Sequence, residues 1–216
     1  MDYIFNNLNS ILKRTYEHLY LVTISLLIST FLGVIIAIFI SKNKKVSSIV
    51  LKIISTLFTI PSLSLFGILI TILSPLKLGI GKLPAMIALI IYTLLPIVRN
   101  INAAIVSIDM GIIESAKGMG LKRFEIIRKV IFPLSIPLIM AGIRNGFVLG
   151  IGVGTITFLI GAGGLGYYIF EGIERSNNNM IITGVILISI LSVFVNYVLY
   201  FLEYFLTPKG IRRWLI

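Results

Sequence analysis

The chain has 216 residues, of which 57% are hydrophobic and 12% charged, with a net charge of +11 and a mean hydropathy of +1.05. That is more apolar surface than a water-soluble core hides, and one histidine with no cysteine leaves too few donors for a metal centre, a redox pair or a thiol nucleophile. The composition therefore speaks against an enzyme or a resident cofactor, and the positive charge points to one side of a bilayer rather than to nucleic acid.

Residues 1–18 hold Asp2, Lys13, Arg14, Glu17 and His18 among Tyr3, Ile4, Phe5, Leu8, Ile11 and Leu12. This mixture predicts an interfacial helix, with His18 at headgroup level rather than in a metal or proton site. A helix needs about 20 apolar residues to cross the hydrocarbon core, because its backbone groups must bond within the segment. Residues 19–40, 53–76 and 180–202 carry no charge and predict three spans. The first is too long for the core of a signal peptide, and no small-residue cleavage pattern follows it. Within 53–76, Pro61 with Thr59, Ser62 and Ser64 bends the helix and offers hydroxyls to freed carbonyls, as a tolerated kink or as a gate. Residues 83–98 complete another span if the helix runs past Arg99 and Asn100 towards Ile108.

The next loop reads SIDMGIIESAKGMGLKRFEIIRKVIFPLSIP. Asp109 caps a helix with Ile112, Ile113, Ala116 and Met119 on one face, and Gly120 supplies the left-handed residue that ends it. A second helix starts near Lys122, sets Phe124, Ile127 and Ile131 on one side, and stops before Pro133, which has no amide to continue the ladder. Residues 131–170 contain a single charge, Arg144, and the glycine-dense run IGAGGLG at 160–166 predicts a break. Gly146, Gly150 and Gly154 fall on one face for close helix packing.

Arg144 lies roughly 16 Å along this fourth span. A central arginine costs about 2.5–3.5 kcal/mol on insertion scales, so it faces protein or water. It either bonds carbonyls left free by the glycine break or stands in a pathway, where its charge favours a carboxylate over an ammonium. Tyr92, Tyr167 and Tyr168 read as interface residues rather than as an aromatic cage.

Sorting Lys and Arg by loop puts 13 on one side and 5 on the other for five spans, with Arg144 inside a span. Cytoplasmic loops hold the excess, which predicts an external amino terminus and a cytoplasmic carboxy terminus bearing Lys209, Arg212 and Arg213. The expected architecture is an all-α, polytopic membrane protein with a cytoplasmic helix-turn-helix at 109–133 inside a single domain, 1–216. GAGGLG also matches G-x-G-x-x-G, but it follows an apolar helix and has no acidic residue about twenty positions on, which rules against a dinucleotide site.

Glu114, Ala116 and Gly120, followed by Val130, Phe132 and Pro133, resemble the EAA loop of ABC importer permeases: EAA, three residues, Gly, nine residues, I-x-L-P. Ser115 replaces the middle alanine, a small-for-small change. The resemblance implies that Glu114, Ser115, Ala116, Gly120 and Pro133 couple the spans to a separate ATPase dimer. The absence of G-x-x-x-x-G-K-S/T agrees, placing ATP on a partner subunit. TIPSLSLFG, LLPIVRN, ESAKGMG, PLIMAGIRN and FLIGAGGLG are together similar to the osmoprotectant branch, which imports glycine betaine, carnitine and choline. Methionine permeases share the five-span plan and the loop. The resemblance further implies an external binding protein, a second permease subunit (identical or paralogous) and a location in the plasma membrane. Pro61, Ser62, Ser64, Arg99, Asn100, Arg144 and Asn145 are the candidate pathway residues. An ion-coupled carrier would need an intramembrane carboxylate, which the uncharged runs lack, and a scaffold would need no kinked, hydroxyl-rich span.

Overall fold

A computed structural model of the protein describes residues 7–208 and Gly210. Tyr3, Ile4 and Phe5 of the expected interfacial segment, and Lys209, Arg212 and Arg213, lie outside the described residues. The described residues form helices and no strand. In chain order these are α1 (Leu8–Ile40), α2 (Lys44–Thr59), α3 (Ser62–Leu73), α4 (Lys82–Val106), α5 (Met110–Gly118), α6 (Arg123–Ile126), α7 (Phe132–Gly154), α8 (Gly166–Glu174) and α9 (Asn178–Leu206). Four helices are long and apolar enough to cross a membrane, and the bent pair α2–α3 makes up to five. α4 does run past Arg99, to Val106.

Two expectations are corrected and a third is sharpened. Among the described residues the expected interfacial stretch is not a separate helix: residues 8–18 continue directly into the 33-residue α1. The bend expected at Pro61 within residues 53–76 is a break at which two helices meet at 94°. Pro61 has no amide for the carbonyl of Leu57, and its ring pushes Ile60 into an extended conformation (φ −62°, ψ 125°), as expected before proline. The loop's second helix does not stop before Pro133 either. Residues 127–131 form a π turn in which the Phe132 amide donates to the carbonyl of Ile127, and the chain enters α7 without a break. The wide turn skips one i to i+4 bond, so a proline just beyond it, in the first turn of α7, loses nothing there.

The core lies among α1, α4 and α7, where Leu21, Val22, Leu26, Leu89, Ile97 and Ile151 are buried. Close approach depends on glycine at four-residue intervals along α7. A Cβ on Gly142 would stand 2.8 Å from Asn100 Cβ, one on Gly150 3.1 Å from Val22, and one on Gly154 3.1 Å from Val22 and 3.2 Å from His18. The stripe is therefore a packing seam between α7 and both neighbours. A buried hydroxyl pair, Ser29 Oγ and Thr93 Oγ1 at 2.6 Å, ties α1 to α4. α9 packs on α7 and α8, and the rest of it shows an apolar outer face suited to lipid, with Phe194, Tyr197, Phe201 and Phe205 exposed.

Candidate functional site

The loop after α4 folds as a short helix closed by a tight turn. Asp109 caps α5, its side chain accepting from the Gly111 amide at 2.7 Å. At the other end the Gly120 amide donates to the Lys117 carbonyl at 2.9 Å, and the Leu121 amide to the Ala116 carbonyl at 3.2 Å. This paired pattern is a Schellman closure, with Gly120 at φ +79°, a region where only glycine sits without strain. α6 then starts at Lys122, whose amide donates to Glu125 at 3.0 Å, and Glu125 pairs with Lys129 at 3.0 Å.

The predicted apolar face of α5 is redistributed. Ala116 is buried, while Ile112 is 45% and Met119 74% exposed. Phe124 and Ile127 are likewise exposed, and Ile126 is the buried residue of α6. Glu114, Ser115 and Gly120 are exposed and Pro133 half-buried. The loop thus presents large apolar side chains outward at one end of the bundle, which is the chemistry of a docking surface.

The α2–α3 break exposes Pro61 and Ser64, with Ser62 half-buried. Thr59 returns its hydroxyl to the Thr56 carbonyl at 2.7 Å, and the Ile60 carbonyl is taken by the Tyr92 hydroxyl of α4. The carbonyls of Thr56 and Ile60 beside the kink are thus both bonded. Asn100 donates to the Pro96 carbonyl at 2.8 Å, while Arg99 is exposed and makes no ion pair among the described residues.

Arg144 does not bond carbonyls freed by the glycine break. Its Nη1 lies 3.1 Å from Glu203 Oε2 of α9, with the side chains 26% and 5% exposed, and its guanidinium sits 5.9 Å from the Tyr200 ring. A carboxylate is the stronger partner for a half-buried cation, so α9 supplies the counter-charge. Asn145, the next residue, is exposed and lines a shallow cavity with Ser192 and Asn196 of α9.

Residues 29–212 match the family of binding-protein-dependent transport system inner membrane components. The chain belongs to that family. It is 39% identical to the osmoprotectant import permease protein OsmW of Salmonella typhimurium, covering 98% of this chain and 99% of the relative. It is 37% identical to the glycine betaine/carnitine/choline transport system permease protein OpuCB of Bacillus subtilis, over 98% and 95%. In fold it is similar to the inward-facing MetNI methionine ABC transporter, with a TM-score of 0.81 and 22% identity over 92% of this chain and 96% of that one.

At the end of this inner membrane component remote from α5, α1 grips the glycine loop. Glu17 accepts from the Gly164 amide at 3.2 Å, and His18 Nδ1 from the Leu165 amide at 3.4 Å. His18 Nε2 donates to the Ile151 carbonyl at 3.2 Å. His18 is 1% exposed, so it is enclosed by protein rather than facing lipid headgroups, and two backbone bonds hold it as a neutral imidazole. Gly163 sits at φ +87°, where any residue with a Cβ is strained, and a Cβ there would also press on the Glu17 carboxylate.

The tyrosines are also engaged within the chain. The Arg14 guanidinium stacks 3.4 Å from the Tyr167 ring centroid, Tyr168 bonds Ser10 at 3.0 Å, and Tyr92 is buried on Ile60. Sequence reasoning misses Glu203 and the clamp made by Glu17 and His18. The available signal is position: each carboxylate stands one or two residues outside an uncharged run.

Proposed function

We propose that this inner membrane component is the permease subunit of an ATP-driven importer of compact quaternary amines such as glycine betaine, carnitine and choline. The observation that carries the reading is similarity over nearly the whole of both chains to permease proteins named for those solutes. In the proposed mechanism, Glu114, Ser115, Ala116, Gly120 and Pro133 transmit the closure of a cytoplasmic ATPase dimer to the spans. Pro61, Ser62, Ser64, Arg99, Asn100 and Asn145 line the route between this chain and a second permease subunit. Arg144 positions α9 against α7. An external binding protein delivers the solute, so the spans need few ionisable groups.

Deleting the chain in its host and measuring uptake of radiolabelled betaine, carnitine, choline and methionine at high external salt tests the solute. Loss of uptake of one or more of the quaternary amines is expected. Loss of methionine uptake alone overturns the assignment, and this arm matters because the fold is shared with a methionine transporter.

The proposed orientation, amino terminus out and carboxy terminus in, rests on the 13 to 5 division of positive residues. The chain has no cysteine, so single cysteines at the exposed positions Ser48, Ser74 and Asn178 report sidedness directly. A membrane-impermeant thiol reagent added to intact cells should modify the last two and spare the first. Modification at Ser48 reverses the orientation.

A further inference from the structure

A cavity of about 580 Å³ lies where the ends of α1 and α4 meet α5, α6 and the π turn. It shares Ile127 with the loop's outward apolar surface and is otherwise distinct from it. Ile113 and Lys117 of α5 line it, whereas Ile112, Ser115 and Met119 fall on the opposite side of the helix at about 100° per residue. Its walls are aliphatic: Ile38, Ile105, Ile126 and Ile131 belong to it, and seven of its eleven lining residues are isoleucine or leucine. Three of the other four are cations, namely Lys42, Lys117 and Arg123, and no carboxylate lines the cavity. All three cations are exposed, and none makes an ion pair among the described residues. Lys42 alone has an aromatic neighbour, Phe39, at 5.8 Å.

An apolar chamber opening at the ends of the spans, ringed by cations on the positive-rich side, has the chemistry of an amphiphile with an anionic head. We infer that the cavity binds an anionic phospholipid, with an acyl chain among the isoleucines and the phosphate on Lys42, Lys117 and Arg123. A free phosphate would use only the rim and leave the aliphatic chamber empty. The site rests on the proposed function only for the side of the membrane it faces. A lipid there props the inner side of the helix whose outer side meets the ATPase, so its occupancy bears on coupling.

The test uses the whole importer, purified with whatever ATPase accompanies it and placed in nanodiscs. Phosphatidylglycerol carrying a photoactivatable acyl chain is compared with phosphatidylcholine carrying the same chain, and adducts are mapped by peptide mass spectrometry. Each cation contributes roughly fivefold, so phosphatidylglycerol should label peptides around Ile105 and Ile126 about a hundredfold more than phosphatidylcholine. The double variant Lys42→Gln/Arg123→Gln should lower that labelling roughly twenty-five-fold. Ile105→Trp, which fills the chamber, should remove it. Equal labelling by the two lipids, or adducts confined to other surfaces or to the ATPase, would each overturn the site. The lipid comparison is made on the unmodified protein, so it decides the matter even where a variant fails to fold. Selective labelling without a co-purifying ATPase would defeat the importer reading and leave the lipid site standing, and the reverse result would do the opposite.

Discussion

Gly120→Val is expected to lower solute uptake by the reconstituted importer to about a tenth or less while the protein still inserts and assembles in the membrane. The reason is conformational rather than steric. A Cβ at this position would meet nothing within 4 Å, so the substitution creates no clash in the fold. It does put a β-branched residue at φ +79°, where non-glycine residues cost about 1–2 kcal/mol and branched ones more. Two hydrogen bonds, those of the Gly120 and Leu121 amides, close the turn, and both need that conformation. Losing it swings α6 relative to α5 and separates Ile112 and Met119 from Phe124 on the outward surface. Gly120→Asn is the control, because asparagine visits the left-handed region with little strain, and it should retain most of the uptake. The measurement is uptake together with solute-stimulated ATP hydrolysis. Wild-type values for the valine variant would remove the turn from the coupling path.

The second large effect is expected at the ion pair between α7 and α9. Arg144→Leu leaves the Glu203 carboxylate, 5% exposed, without its cation. Breaking a buried pair by removing one partner costs about 3–5 kcal/mol, whereas replacing both partners with apolar groups is often neutral. Arg144→Leu should therefore lower the unfolding temperature of the purified protein sharply, and Arg144→Leu/Glu203→Leu should recover most of the loss. Glu203→Leu alone should cost less than Arg144→Leu, since Arg144 is 26% exposed and can reach water by snorkelling. Uptake separates the two roles considered for this arginine. Recovery of transport in the double variant makes Arg144 a positioning residue, and a stable double variant that does not transport places it in the solute route. Equal stability of Arg144→Leu and the double variant would deny the pair its structural role.

Features fixed within a few residues were legible in the sequence. The uncharged runs require helices because a bilayer offers the backbone no other partner, and they yielded the all-α class and the long helices around residues 19–40, 83–106 and 180–202. Asp109 as a cap and Gly120 as the left-handed residue followed from local chemistry, as did the glycine stripe along α7, whose period is set by the helix itself. The tertiary structure decided what depends on distant neighbours. His18 looked like a surface residue until the Leu165 amide, 147 positions away, closed on it. Arg144 needed a partner by any reading, but only the packing of α9 on α7 brought Glu203 to 3.1 Å. Pro61 announced a bend without its size: the 94° turn is stabilised by Tyr92 of another helix holding the Ile60 carbonyl. Pro133 misled because the π turn directly before it, residues 127–131, absorbed the missing bond. Periodicity reports which groups a segment must satisfy, and packing alone determines which group arrives to satisfy them.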